Sequence, residues 1–131
     1  MSQAELSSEE LLDLSMLDTL SDLGNRRGKD LLGQLFGLYL QQGPEGIANM
    51  RSAFAEGRAS EIKSVAHSLK GSYRSLGTPK LATISKQLED KGAADDLSGC
   101  DTLLDQLERA FDETTTALRD FLVARGHSVE A

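Results

Sequence analysis

His67 sits in a run whose spacing could do chemistry. Lys63, Lys70, Gly71 and Arg74 stand four residues before it and three, four and seven after it. On a helix these positions share one face, because residues three and four apart are neighbours. A free imidazole titrates at about pH 6.5, so near neutrality one ring nitrogen is available as a nucleophile. Nearby cations favour that neutral form and would also stabilise the negative charge of a phosphoryl group in transit. Gly71 interrupts a helical pattern, where glycine costs about 1 kcal/mol against alanine. Its use would be to let another backbone or active site come close.

The helix that must carry these residues reads clearly. Numbering the wheel from His67, Ile62, Val65, Ala66, Leu69, Tyr73 and Leu76 fall between about 160° and 260°. That stripe faces a core, and His67 lies almost opposite its centre. Lys63, Lys70 and Arg74 fall within about 60° of His67. A histidine among lysines is often only a solvated face. Here the charge distribution adds weight. Between Ile62 and Leu88 there is no acidic residue, and the stretch carries +5 while the whole chain carries −7.

The remaining segments are also helical in period. A first helix, with Ser7 or Ser8 as cap and Glu10 completing a capping box, covers Leu11, Leu12, Leu14, Leu17 and Leu20, with a break near Asp13–Ser15, and ends around Gly24. A second runs from about Gly28 to Gln42. Gly43-Pro44 reads as a break, and a third helix follows through Ile47, Met50, Ala53 and Phe54 to Gly57. The helix of His67 spans about Ala59–Leu76. The next starts at Thr78-Pro79 and ends near Gly92, and the last runs from about Ser98 to Ala124. The tail from Gly126 to Ala131 is expected to be flexible. The expected fold is all-α: an up-and-down antiparallel four-helix bundle with an additional short N-terminal helix, one domain over 1–131.

Composition narrows the function. A net charge of −7 disfavours nucleic acid and anionic membrane as partners. No apolar run is long enough to span a bilayer, and the polar start is no signal peptide. The lone Cys100 fits a reducing cytoplasm and reads as a small buried residue. With only His67, His127 and Cys100 as soft ligands, no metal site is expected. His127 falls in the expected tail and is given no role. No phosphate-binding glycine loop appears, so a self-phosphorylating kinase is excluded and no cofactor is expected.

The run Ala66-His67-Ser68-Leu69-Lys70-Gly71-Ser72, with Leu76-Gly77, Leu81 and Leu88-Glu89, resembles the histidine-containing phosphotransfer (HPt) domain family. The likeness extends over about residues 14–90, through Asp30-Leu31-Leu32, Phe36, Tyr39, Ala53 and Gly57. Two positions depart from it: Tyr73 stands where a small residue is usual, and Thr78-Pro79 replaces a Gly-Ala turn continuation. The resemblance implies a phosphoryl relay between receiver-domain aspartates in two-component signalling. His67 would be the phosphoacceptor, through Nε2, and Lys70 would neutralise the phosphoryl oxygens. Lys63, Ser64, Gly71 and Arg74 would form the docking rim, and Glu89 would orient His67. The implied partners are response-regulator receiver domains and a histidine kinase or hybrid kinase donor, with Mg²⁺ only in the receiver and the carrier a monomer. A bundle that binds receivers without carrying phosphate is the alternative.

Overall fold

The computed structural model describes residues 11–127. Among the described residues, five helices follow one another: α1 Leu14–Arg26, α2 Leu31–Ala55, α3 Ala59–Ser75, α4 Pro79–Ala93 and α5 Cys100–Ala124. Each of α2 to α5 packs on the next, and α5 returns to α2, closing a ring of four; α1 lies against α2. Short connections joining neighbours in this order suit an up-and-down bundle. No described helix is long and apolar enough to cross a membrane.

Local signals set most boundaries. Asp13 caps α1, its Oδ1 accepting the Met16 N–H at 3.1 Å, which places the expected break just before Leu14. The expected capping box at Ser7 and Glu10 lies outside the described residues. Asp30 caps α2 in the same way through the Gly33 N–H at 3.0 Å. Pro79 opens α4 at its first turn, where its missing N–H costs nothing. Thr78, in the cap position, makes no side-chain cap; it is buried, and its hydroxyl donates back to the Tyr73 carbonyl at 2.9 Å.

Two expectations are overturned. Gly43-Pro44 does not break the chain: α2 runs through Pro44 as one 25-residue helix. Pro44 is exposed, so the carbonyl it deprives of a partner can be hydrated. Buried Tyr39, Gly43, Ile47 and Met50 hold both sides of it against the core. The second concerns His127, whose side chain is only 7% exposed. Its Nδ1 lies 2.7 Å from Asp30 Oδ1 and its Nε2 2.8 Å from Ser21 Oγ, tying the end of α5 to α1 and to the start of α2.

The core fills the space between the four bundle helices with Leu32, Phe36 and Met50 from α2, Ile62 and Leu69 from α3, Leu81 and Leu88 from α4, and Leu104, Leu107, Leu118 and Leu122 from α5. Each fully buried side chain of this size contributes about 1.5–3 kcal/mol. Tyr39 stacks on Phe111 and Phe36, and its hydroxyl donates to the Phe111 carbonyl at 3.2 Å. Tyr73, one of the two departures from the family pattern, is core and not rim. It is 1% exposed and meets Tyr39 edge-on with centroids 6.1 Å apart. Cys100 is buried as expected, and burial pushes its thiol up.

The most extensive helix contact is between α3 and α4. A Cβ at Gly92 would stand 2.6 Å from the Lys63 nitrogen and 2.7 Å from the Ala59 carbonyl oxygen. Both are backbone atoms and cannot rotate away. Gly92→Ala is therefore expected to cost about 1–3 kcal/mol by overpacking. Alanine is intrinsically the better helix former by about 1 kcal/mol, so the loss must come from the contact. Urea melts check this, and an unchanged or raised midpoint would show that α3 and α4 can part freely.

Candidate functional site

The α3–α4 hairpin places the candidate residues. Its turn passes through Gly77 at φ +71, and the Thr78 N–H returns to the Tyr73 carbonyl at 2.9 Å. From there the two helices run back alongside each other, so Gly92 meets Lys63 and, one turn nearer the hairpin, Glu89 meets His67. The apolar stripe and its opposite face are confirmed: Ile62, Ala66, Leu69, Tyr73 and Leu76 are buried, Val65 partly so, and His67 has a side chain 68% exposed.

Glu89 holds two groups at once. Its Oε2 lies 2.7 Å from His67 Nδ1, and its Oε1 accepts from Lys70 Nζ at 2.6 Å. A carboxylate can only accept, so Nδ1 carries the proton of this bond and the lone pair of the neutral ring is on Nε2. The carboxyl of Glu89 is held below the usual carboxylate range, first by the Lys70 hydrogen bond and then by that of His67. Glu89, on α4, thus reaches the ring of His67 on α3.

Lys70 is not where the wheel alone puts it. Its side chain is 14% exposed and Glu89's 15%, so this pair is largely sheltered by α3 and α4. The lysine's ammonium is spent on Glu89. Lys63, Ser64, Gly71 and Arg74 are exposed, and neither Lys63 nor Arg74 makes an ion pair among the described residues. A Cβ at Gly71 would meet nothing within 4 Å. Packing against another helix therefore does not account for this glycine.

One surface hollow borders the site, and a larger one lies away from it. A groove of about 480 Å³ between α2 and α3 is lined by Leu35, Leu38, Gln42, Ser68, Gly71 and Leu76 among others. Leu38 on its edge is 50% exposed. A larger hollow of about 1040 Å³ lies between α4 and α5 around Ile84 and Arg109, and neither His67 nor Glu89 lines it. Size does not select the site here, because the chemistry lies beside the smaller groove. Among the described residues no group of three metal-ligating side chains comes together.

The Hpt domain family model matches residues 34–119. The chain belongs to the Hpt domain family. The match begins within α2 and takes in most of α5, so it reaches past the likeness over about residues 14–90 that the motifs alone carried. No curated protein matches the chain. Two solved structures share the fold. Histidine-containing phosphotransfer protein B from Pseudomonas aeruginosa PAO1 is 24% identical, with 83% of this chain and 91% of that one covered and a TM-score of 0.75. A histidine-containing phosphotransfer protein from Medicago truncatula is 20% identical, with 96% and 90% covered and a TM-score of 0.74.

Two outcomes follow from this geometry. Gly71→Ala is expected to leave stability unchanged or raise it by up to about 1 kcal/mol, and Gly71→Gln to fold normally in the same thermal melts. Destabilisation of both would show that the position packs after all. For Glu89, a carboxyl depressed in the folded state stabilises the fold above the usual carboxylate range, and that contribution is lost as pH falls through its folded pKa. Between about pH 7 and about pH 3, wild type should therefore lose more stability in urea melts than Glu89→Gln. Equal losses would show that the Lys70–Glu89–His67 contacts do not form in solution.

Proposed function

We propose that this protein is a phosphocarrier that accepts a phosphoryl group on Nε2 of His67 and exchanges it with receiver-domain aspartates in a two-component phosphorelay. The observation that carries the reading is the His67 ring itself, fixed at Nδ1 by Glu89 while most of its side chain faces solvent. A nucleophile held by one nitrogen and open at the other suits in-line attack on phosphorus. It also favours chemistry over a bundle that only docks receivers, because docking alone gives no use to an oriented imidazole.

In the transfer, the Nε2 lone pair attacks phosphorus, a P–N bond forms, and the P–O bond to the aspartate breaks as its carboxylate leaves. The protein has no ATP chemistry in this scheme. It takes its phosphoryl group from a histidine kinase or hybrid kinase through a receiver, and Mg²⁺ belongs to the receiver. Exposed Lys63 and Arg74 attract the acidic phosphorylated pocket of the partner, and Ser64 borders it. Gly71 lets the partner's backbone close in, and Leu38 with the groove beside it gives an apolar footing. The carrier works as a monomer in the cytoplasm.

His67→Gln is expected to abolish acid-labile, base-stable phosphorylation by a phosphorylated receiver while melting like wild type, since the ring faces water. Mass spectrometry that places the phosphoryl group on Ser72 or His127 would overturn the assignment.

A further inference from the structure

Lys70 and Glu89 do more in this arrangement than steady a ring. We infer that the Lys70–Glu89 pair keeps the Nδ1 proton on His67 while the phosphoryl group sits on Nε2, so that the imidazole remains a good leaving group. The inference rests on the phosphocarrier reading and concerns the second half of the cycle, when the carrier gives its phosphoryl group away. It assigns Lys70 to the carboxylate and not to the phosphoryl oxygens.

Glu89 uses one oxygen on His67 Nδ1, at 2.7 Å, and the other on Lys70, at 2.6 Å. The ammonium is committed to the carboxylate in a sheltered place, so it holds the carboxylate ionised and aimed. After Nε2 has bonded phosphorus, the ring carries a proton on Nδ1 and a positive charge. Were that proton lost, departure would release an imidazolate, a poor leaving group. With the proton kept, an incoming aspartate oxygen bonds phosphorus, the P–N bond breaks, and its electron pair returns to Nε2. The ring leaves as neutral imidazole in the tautomer in which it began. No proton enters or leaves over the cycle.

The surrounding charges leave this role to Glu89. On α3, Lys63 and Arg74 are exposed cations one or two turns from the ring. On α4, Lys86 and Asp90 pair with each other at 3.0 Å. On α2, Glu45 borders Ser64 and Ser68 in a separate hollow, in which His67 has no part. Glu89 alone among the described acids reaches the ring of His67. Lys63 and Arg74 are then the cations that face the phosphoryl group and the partner.

The test uses the whole chain labelled with ¹⁵N-histidine, phosphorylated with phosphoramidate, in wild type, Glu89→Gln and Lys70→Met. Ring ¹⁵N spectra across pH report the Nδ1 proton, and timed mixing with an unphosphorylated receiver domain reports transfer. Wild-type phospho-His67 should keep the Nδ1 proton to higher pH than either variant. Glu89→Gln should donate at least about tenfold more slowly near neutrality, because its amide can also stabilise the deprotonated ring. Its rate should fall off at lower pH than wild type's. Lys70→Met should move both readouts the same way. Identical proton states and pH profiles in all three proteins would overturn the inference and leave the phosphocarrier reading standing. Wild type that takes no phosphoryl group on His67 would overturn both.

Discussion

The close approach of α3 to α4 is the constraint on which the site depends. Where Gly92 crosses Ala59 and Lys63 there is no space for a side chain, and that sets how near the two backbones lie. One turn along, the same spacing puts a glutamate from α4 within hydrogen-bonding distance of a histidine on α3. A wider separation would leave Glu89 as a surface acid and His67 as a freely turning ring. The hairpin turn at Gly77 and Thr78 fixes the other end, so register and distance are both determined within about thirty residues.

Electrostatics then divides the cations into two kinds. The acid-free stretch from Ile62 to Leu88 ends one residue before Glu89. The first acid after it serves the histidine and the lysine together, which lowers the local charge without covering the ring. Lys70 becomes an internal cation with a fixed partner, while Lys63 and Arg74 remain outward on an otherwise acidic protein. In the phosphocarrier proposed above, the inner pair governs the state of the imidazole and the outer pair governs what approaches it.

Much of this was legible in the sequence, for reasons that also explain the misses. The face of α3 followed from apolar period alone, so the exposure of His67 and the openness around Gly71 could be read before any fold was known. Periodicity says which way a side chain leaves its helix and nothing of what meets it. The partner of Lys70 comes from another helix, nineteen residues away, and the long stem of lysine allows it to turn inward from the rim of the stripe. Gly43-Pro44 reads as a break on local preference, yet packing on both sides and an exposed proline ring keep α2 continuous. His127 lies past the last periodic residue, where no pattern remains. Its contacts with Asp30 and Ser21 bridge 97 and 106 residues. Asp30, legible as part of the family likeness, is both the cap of α2 and that histidine's anchor.

The central claim is that Glu89 leaves Nε2 of His67 as the nucleophile. The most direct measurement is ¹⁵N NMR of the ring after phosphorylation by a phosphorylated receiver domain, which identifies the nitrogen bonded to phosphorus. Phosphorus is expected on Nε2 and a proton on Nδ1. Phosphorus on Nδ1 would contradict it, because that nitrogen is the one committed to Glu89.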